Sequence, residues 1–175
     1  MYSLIRSSAR GSALLRALAC TVALLASSRT YAATSEPGHE LDFWLGHWDV
    51  YAGDKLDGKD SVATSLGGFA AHEWWSDADG SKGESFFYYM PAKHQWAQVW
   101  VTGAGPYKIK YSESSPDGIR FTGKVYLADG RAFDDRTTLT RGANDTVRQR
   151  IENSRDGGKT WTLVYDAVYR RSTAR

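Results

Sequence analysis

Hydrophobic and polar residues alternate in short runs along most of this chain, from residue 47 to residue 170. A period of two is typical of β-strands that bury one face. Turn-forming steps such as Asp57-Gly58, Asp79-Gly80 and Asp129-Gly130 separate the runs and suit tight hairpins. The predicted strands span residues 47–53, 60–66, 69–76, 83–90, 95–102, 107–114, 118–127, 131–141, 146–154 and 160–170.

Short hairpins are expected to join these strands into antiparallel neighbours in chain order. An open sheet of this length would expose two edges, and closure into an up-and-down barrel removes both. A two-sheet sandwich is the alternative, but it needs long crossing connections, and we find none in the sequence. We therefore predict an all-β fold, an antiparallel up-and-down β-barrel of about ten strands.

The barrel is predicted to begin in residues 42–51, which read DFWLGHWDVY. Leu41, Trp44 and Leu45 share a face at helical spacing, which indicates one short helical turn at the N-terminal side. Gly46 ends that turn, and a strand pattern with Trp48 follows.

This Gly46-x-Trp48 opening resembles the first signature of the lipocalins and their calycin relatives. In those barrels the tryptophan closes one end, and an arginine near the end of the last strand packs across it. The resemblance implies a lipocalin-like barrel closed by Gly46 and Trp48, with Arg170 as the packing arginine. With the closing segment 151–169, the opening also looks like a large family of exported bacterial proteins classed only as a domain of unknown function. That likeness supports the fold and brings no catalytic residues with it.

Residues 1–32 are predicted to be a secretory signal peptide. Three arginines precede a short apolar run at 17–26, which is too short to span a bilayer, and small residues lead up to a cleavage site after Ala32. Residues 33–39 would then be a flexible leader and 40–175 one barrel domain. The predicted location is the periplasm or the exterior, with no integral membrane anchor.

Removal of this segment changes the charge balance. It contains four arginines and no acidic residue, so the net charge of +2 becomes −2. No basic cluster remains, and nucleic acid is therefore not expected as a partner. The single cysteine, Cys20, also leaves with the segment, so the exported chain must be held by its core without a disulfide.

Polar residues interrupt the apolar face of several predicted strands. Glu73 lies two residues before Trp75, Gln98 lies two residues before Trp100, and Gln149 lies between aliphatic residues at alternate positions. If Glu73 is internal, its carboxylate must be paired or have a raised pKa. Such residues either form hydrogen-bonded strand ends near a rim or orient a ligand in an apolar pocket. The candidate ligand-binding residues are Glu73, Trp75, Gln98, Trp100, Gln149 and Tyr165.

Aromatic residues fill the better-populated apolar face of most runs, which is the face expected to be internal. In the run 107–114 this face carries Tyr107 and Tyr111. The run 86–90, FFYYM, is apolar on both faces, although a simple barrel needs only its inner face apolar. The outer side of this run could be covered by the N-terminal lead-in, a dimer partner or a ligand.

Residues 154–161 read SRDGGKTW and match the S-x-D-x-G-x-T-W Asp box of sialidases and other β-propellers. Its defined positions are Ser154, Asp156, Gly158, Thr160 and Trp161. An aspartate at a hairpin turn can accept hydrogen bonds from backbone N–H groups across the turn. The motif occurs once, in a chain too short for a propeller, so it predicts a structural turn rather than glycosidase chemistry.

No metal or cofactor site is predicted. The four histidines form no H-x-H or H-x-x-x-H pair, and no histidine follows His94, which counts against the haem site of some small barrels. The chain also has no G-x-S-x-G, P-loop or dinucleotide-binding motif, so no catalytic residues are assigned.

Three functions remain open. The first is an exported barrel that binds a small hydrophobic or aromatic molecule in its interior. The second is an enzyme, such as an isomerase, cyclase or hydrolase, that acts on such a molecule with Glu73 as acid or base. The third is a structural or interaction protein without a ligand, in which the strand at 86–90 forms a homodimer or docks a partner.

Overall fold

The computed structural model describes residues 37–115 and 118–173, which form ten β-strands and three single turns of 3₁₀ helix. The strands are β1 (Gly46–Ala52), β2 (Lys55–Ser65), β3 (Ala70–Asp77), β4 (Lys82–Met90), β5 (Gln95–Thr102), β6 (Tyr107–Ser115), β7 (Gly118–Tyr126), β8 (Ala132–Arg141), β9 (Val147–Ser154) and β10 (Thr162–Arg171). The 3₁₀ turns span Asp42–Trp44, Leu66–Gly68 and Pro91–Lys93. The predicted signal peptide and most of the predicted leader lie outside the described residues. Within these ranges, none of the helices has the length and apolar character needed to cross a bilayer.

The strands form one closed antiparallel barrel. Each strand pairs with its neighbours in chain order, and β1 also pairs with β10. Because the ladder returns to its first strand, the barrel leaves no open sheet edge among the described residues. The predicted up-and-down barrel is confirmed, and the sandwich alternative is wrong.

The first hairpin differs from its prediction. β2 begins at Lys55, well before the predicted residue 60, and the turn before it contains Gly53 with φ of +63°. The Asp-Gly step that ends at Gly58 therefore lies inside β2. A side chain at Gly58 would overlap with the carbonyl oxygen of Ser76 in β3. This glycine is needed because another strand passes close to it, and not because the chain turns there.

The segment that precedes β1 closes one end of the barrel, which we call the plugged end. Trp44, in the first 3₁₀ turn, and Trp48, in β1, are 1% and 0% exposed. Trp48 Nε1 donates to the carbonyl oxygen of Trp44 (2.8 Å), and the Trp48 ring packs edge-on against Tyr169 with 6.3 Å between centroids. Leu41 is buried and Leu45 is partly buried, so the predicted helical turn packs its apolar face into the barrel.

The arginine that covers Trp48 is Arg171, and the assignment to Arg170 is wrong by one residue. The Arg171 guanidinium lies 3.9 Å from the centroid of the Trp48 ring, whereas the Arg170 guanidinium lies 4.3 Å from the centroid of Tyr51. The register explains the difference, because Trp48 pairs with Arg171 and Asp49 pairs with Arg170. Successive residues of a strand point to opposite faces, so only Arg171 shares the face of Trp48.

Gly46 leaves space for this arginine. Its φ is +121°, and a Cβ atom there would overlap with Nη1 of Arg171. That nitrogen donates to the carbonyl oxygen of Leu45 at 2.5 Å, while Nε of Arg171 pairs with Asp145 at 2.7 Å. The glycine is therefore required both by its backbone conformation and by the packed guanidinium.

Replacing Gly46 with alanine is expected to lower the free energy of unfolding by about 2 kcal/mol or more, because the new Cβ strains the backbone and displaces Arg171. Urea denaturation monitored by tryptophan fluorescence measures the change. Gly53→Ala is the matched control, because Gly53 also has a positive φ but has nothing within 4 Å of its Cβ position. Its expected cost is only about 1 kcal/mol. Equal losses in the two variants would contradict the role given to the arginine.

The Asp-box motif forms the hairpin between β9 and β10. Asp156 accepts hydrogen bonds from the backbone N–H (2.9 Å) and hydroxyl (2.7 Å) of Thr160, and the Ser154 hydroxyl donates to Asp156 (2.8 Å) and accepts from the Gly158 N–H (2.9 Å). These bonds lower the pKa of Asp156 to about 2. Trp161 Nε1 donates to the Gly158 carbonyl oxygen at 3.0 Å. The motif thus holds a turn with its own side chains, as expected of a structural element.

Ion pairs between neighbouring strands cover part of the outer wall. Arg136 donates two hydrogen bonds to Glu152, at 2.8 and 3.0 Å, and Lys124 pairs with Asp134 at 2.7 Å. Both pairs are exposed or half-buried, so each contributes little to stability on its own.

Candidate functional site

The interior of the barrel is packed at the plugged end and hollow toward the opposite end. The packed half is an apolar core whose largest side chains are Trp44, Trp48, Trp96, Tyr169, Phe87 and Phe121. Beyond it lies a cavity of about 500 Å³ that reaches the turns near Asp79 and Pro106. The barrel therefore encloses space that its own side chains do not fill.

A layer of polar side chains, which we call the polar belt, lies between the apolar core and the cavity. In β3, alternate residues belong to the core (Ala71), the belt (Glu73) and the cavity wall (Trp75). The same order holds for Trp96, Gln98 and Trp100 in β5 and for Val147, Gln149 and Ile151 in β9. The belt consists of Glu73, Ser85, Gln98, Lys110, Asp135, Thr137, Gln149 and Tyr169. It forms the floor of the cavity.

The structure brings all the candidate ligand-binding residues to this one cavity. Its lining includes Glu73, Trp75, Gln98, Trp100, Gln149 and Tyr165. The aromatic members, together with Phe133 of β8, form the wall, and the polar members belong to the floor. Their part in binding a ligand stays a prediction.

Glu73 is buried in a short hydrogen-bonded chain. Its Oε2 accepts a hydrogen bond from the hydroxyl of Ser85, its cross-strand partner in β4, and Ser85 Oγ in turn accepts from Gln98 Nε2 at 3.1 Å. Burial raises the pKa of the Glu73 carboxyl. The sequence predicted a carboxylate that is paired or has a raised pKa, and both conditions hold.

Lys110 is the main interior residue that sequence reasoning missed. Its side chain is 1% exposed, and its Nζ donates to Asp135 Oδ1 at 2.6 Å and to Thr137 Oγ1 at 2.5 Å. Burial, with the nearby Lys108 as the second cause, lowers the pKa of Lys110 to about 8. A buried lysine of this kind needs its carboxylate partner, so Asp135 belongs to the same unit.

The faces of β6 are opposite to the prediction. Tyr107 and Tyr111 were expected inside but are 39% and 44% exposed, whereas Lys108 and Lys110 point inward. Lys108 Nζ lies 3.5 Å from Asp135 Oδ2 and 4.8 Å from the centroid of the Trp100 ring. The ladder explains the inward direction, because Lys110 pairs with the inward-facing Gln98, and this register is not visible in the sequence. Directly paired residues on adjacent strands share a face.

A third buried carboxylate, Asp60 of β2, lies close to Glu73. Asp60 is 3% exposed, and its Oδ1 accepts the Ser61 N–H at 2.9 Å. Its Oδ2 has no hydrogen-bond partner among the described residues. Burial first, and then the charge of Glu73, raise the pKa of Asp60 well above its ordinary value.

The contribution of Asp60 and Glu73 to the free energy of unfolding is expected to fall as the pH rises from about 4 toward neutrality. In the unfolded chain Asp60 and Glu73 lose their protons near 3.8 and 4.5, whereas their raised pKa values keep these protons bound to higher pH in the folded chain. At these two sites the folded state therefore holds more protons in this window, and a rise in pH reduces what they contribute to stability. Asp60→Asn removes one of the two groups and should reduce the slope of stability against pH, measured by urea denaturation. Asp54→Asn, in an exposed turn, is the control that should keep the wild-type slope, and equal slopes in all three proteins would contradict this account.

Two tyrosines link the cavity to further polar groups. The Tyr165 hydroxyl donates to Asp57 Oδ2 at 2.6 Å, and the Tyr169 hydroxyl donates to Gln149 Oε1 at 3.1 Å. Burial is the first cause of the raised pKa of both phenols. Both tyrosines are therefore neutral hydrogen-bonding groups at ordinary pH.

Among the described residues, no group of three or more His, Cys, Asp or Glu side chains is placed to hold a metal ion. The arrangement that the cavity does offer is an aromatic wall over a floor with two buried acids, two lysines and two amides. Such a site can hold a small organic molecule by its apolar surface and orient it by its polar groups.

The closed barrel of ten antiparallel strands is consistent with a lipocalin-like fold. In comparisons with protein-family models and with curated proteins, the sequence matched none.

Proposed function

We propose that this protein binds a small hydrophobic or aromatic molecule inside its barrel. The observation that carries the proposal is the cavity of about 500 Å³ between the polar belt and the turns at the open end. Ligand sites in proteins commonly enclose about 300–1,000 Å³, with mostly apolar walls and a few oriented polar groups. The cavity has this size, and it combines an aromatic wall with a lining richer in polar groups.

The contrast between the two halves of the barrel supports a ligand. In the plugged half, large side chains fill the interior and leave Trp44, Trp48, Trp96 and Phe87 at 1% exposure or less. In the other half, Trp75 and Trp100 are only partly buried and line open space. A barrel that needed only stability could fill both halves in the same way.

A screen of small aromatic compounds and lipids tests the proposal, with tryptophan fluorescence and native mass spectrometry as readouts. At least one class is expected to bind at a ratio of one molecule per barrel. Trp100→Leu should weaken its binding by about tenfold or more, because it removes an aromatic wall. Trp74→Leu is the matched control, since Trp74 is 41% exposed on the outer wall. If no compound binds by either readout, the proposal fails.

Catalysis on the bound molecule is the second candidate, and the position of Glu73 favours it. This carboxyl lines the cavity and its pKa is raised by burial, which brings a carboxyl group closer to the range useful for acid–base catalysis. In an isomerase, cyclase or hydrolase of this kind, Glu73→Gln should remove turnover and leave binding of the substrate intact. Equal turnover in both proteins would exclude Glu73 as the acid or base.

We also propose that the barrel functions outside the cytoplasm after residues 1–32 are removed. The sequence supports this, because residues 1–32 have the order of a signal peptide. Arginines come first, a short apolar run follows, and small residues lead up to Ala32. The intact mass of the protein purified from the exported fraction should correspond to a chain that begins near residue 33. A full-length chain retained in the cytoplasm would contradict this.

A further inference from the structure

We propose that the molecule bound in the cavity carries an acidic group and that Lys108 receives this group. The inference rests on the proposed function, because it names the class of ligand for the same site. Lys108 lines the cavity, and its side chain is 15% exposed. Within 4 Å its Nζ has one carboxylate oxygen among the described residues, Asp135 Oδ2, and the distance of 3.5 Å is too long for a strong charged hydrogen bond.

Two lysines share that one carboxylate. Lys110 Nζ holds the other oxygen of Asp135 at 2.6 Å and is fully buried. Within 4 Å, the cluster therefore joins two ammonium groups to one carboxylate. Glu73 is the next acid of the floor, and burial raises the pKa of its carboxyl, which limits its part in compensating the second ammonium group. An anion beside Lys108 would compensate it.

Three of the acids that line the cavity already have donors within the protein. Asp57 accepts from the Tyr165 hydroxyl at 2.6 Å, and Glu73 accepts from Ser85. Asp77 accepts the backbone N–H groups of Asp79 and Ser81 at 2.9 and 2.8 Å. Lys108 thus has unused hydrogen-bonding capacity that these three acids do not have. At the Lys108 side of the cavity this difference favours an anionic group over a cationic one.

The surroundings of Lys108 indicate how such a ligand would lie. The ammonium group lies 4.8 Å from the centroid of Trp100, so a ring placed along that wall would bring an attached carboxylate close to Lys108. Gln98 Oε1, at the floor, is buried without a hydrogen-bond partner among the described residues. A hydroxyl or N–H group on the same ligand would satisfy this oxygen. We therefore expect an aromatic acid that enters with its polar end first.

A matched pair of probes tests the inference, namely 2-naphthoate and its neutral amide 2-naphthamide, titrated into the purified protein by calorimetry. The acid is expected to bind at least about tenfold more tightly than the amide. Lys108→Met should reduce the affinity for the acid to that for the amide and leave the amide unchanged, whereas Lys108→Arg should keep the preference. Lys124→Met is the control, because Lys124 lies on the outer wall in a pair with Asp134. Circular dichroism confirms that each variant is folded.

The outcomes separate the inference from the function on which it rests. Equal binding of both probes, or an acid preference that survives in Lys108→Met, would overturn the inference and leave the binding function in place. A preference for the cation 2-naphthylmethylammonium would also overturn it and point to Glu73 instead. If none of the three naphthalene probes binds but another compound of the screen does, the inference is overturned and the binding function remains. Failure of every compound would overturn both.

A different observation carries a second inference, which concerns the outside of the barrel. We infer that the outer face of β4, β5 and β6 is the contact surface between two copies of this chain. This apolar face consists of Phe86, Tyr88, Val99, Val101, Ile109 and Tyr111, each between 38% and 47% exposed. In the ladder Val99 pairs with both Phe86 and Ile109, so the side chains form continuous rows across three strands. Trp74 and Tyr107 extend the face on either side.

The size of the face fits a weak dimer. With ~200 Å² for a fully exposed aromatic side chain, somewhat less for an aliphatic one, and about two fifths of each exposed, these eight side chains present on the order of 600 Å². This area is at the upper end of the largest apolar patch of a typical monomer, about 300–600 Å². Two copies would together bury on the order of 1,200 Å², which is the lower limit of specific interfaces and less than the ~800 Å² per partner of a stable one. Charges at the border are paired, with His72 next to Glu84 (3.2 Å) and Lys124 next to Asp134 (2.7 Å). A neutral sheet face of this kind matches itself across a two-fold axis better than it matches a charged partner or an anionic membrane.

Sedimentation velocity tests this inference up to about 100 µM protein, a range that detects weak dimers. The wild-type protein is expected to dimerise, and Ile109→Lys should be a monomer. Leu163→Lys is the matched control, because Leu163 is 45% exposed on β10, away from the face, and this variant should still dimerise. A monomeric wild type would overturn the inference. A monomer that floats with phosphatidylcholine vesicles would assign the face to lipid and overturn it as well.

Discussion

Replacing Trp48 with alanine is expected to lower the free energy of unfolding by about 3–5 kcal/mol, among the largest effects of a single substitution in this barrel. The side chain is 0% exposed and holds three elements together. Its Nε1 binds the carbonyl oxygen of Trp44, its edge contacts Tyr169, and its face lies under Arg171. Urea denaturation measures the loss, and the plugged end should become accessible to hydrogen exchange before the rest of the barrel.

Phe69→Ala is the comparison for this variant. Phe69 is also aromatic but is 53% exposed beside the second 3₁₀ turn, so its loss should change the free energy of unfolding by less than about 1 kcal/mol. If Trp48→Ala lowered the free energy of unfolding no more than Phe69→Ala does, the plugged end would not be the main packing centre of the barrel.

Removing either member of the Lys110–Asp135 pair is expected to lower the free energy of unfolding by about 3–5 kcal/mol. Both side chains are 1% exposed, so Asp135→Leu would leave a buried ammonium group without its carboxylate. Lys110→Met would leave the Asp135 carboxylate with a weaker ion pair to Lys108, whose Nζ lies 3.5 Å away. The cost in each case is that of an uncompensated buried charge, and not the value of the ion pair itself.

The double variant Lys110→Met/Asp135→Leu distinguishes the cost of an uncompensated buried charge from the net contribution of the ion pair to stability. It places apolar side chains of similar size at both positions, and we expect it to be close to the wild type in stability, far above either single variant. Lys124→Met and Asp134→Leu are the controls, because this pair joins the same residue types on the outer wall and should change stability little. A double variant as unstable as the sum of the single variants would show that the pair is not coupled.

The strands and their order could be predicted because alternation and turn residues are local properties of the sequence. Each predicted run corresponds to one strand, and the predicted helical turn is present as Asp42–Trp44. The error at the first hairpin has a physical cause. An Asp-Gly step is a common turn signal, but Gly58 is used for a close contact with Ser76, and contacts between strands are not visible in local sequence.

The floor of the cavity was partly predictable. A polar residue between two apolar ones at alternate positions identified Glu73, Gln98 and Gln149, and all three belong to the polar belt. Lys110 was missed because β6 carries its aliphatic and aromatic residues outside and its lysines inside, and its partner Asp135 in β8 was missed with it. Hydrophobic alternation indicates which residues share a face, but it does not say which face is internal when the outer wall is also apolar.

The sequence by itself determined the kind of fold, because period-two alternation with glycine turns leaves the backbone few ways to satisfy its hydrogen bonds other than a closed antiparallel sheet. It also indicated the polar positions that line the interior. Only the tertiary structure decided that Arg171 covers Trp48, that two lysines face inward, and that the barrel is filled in one half and hollow in the other. These features depend on strand register and on the volume left between side chains from different strands, and neither quantity exists until the barrel has closed.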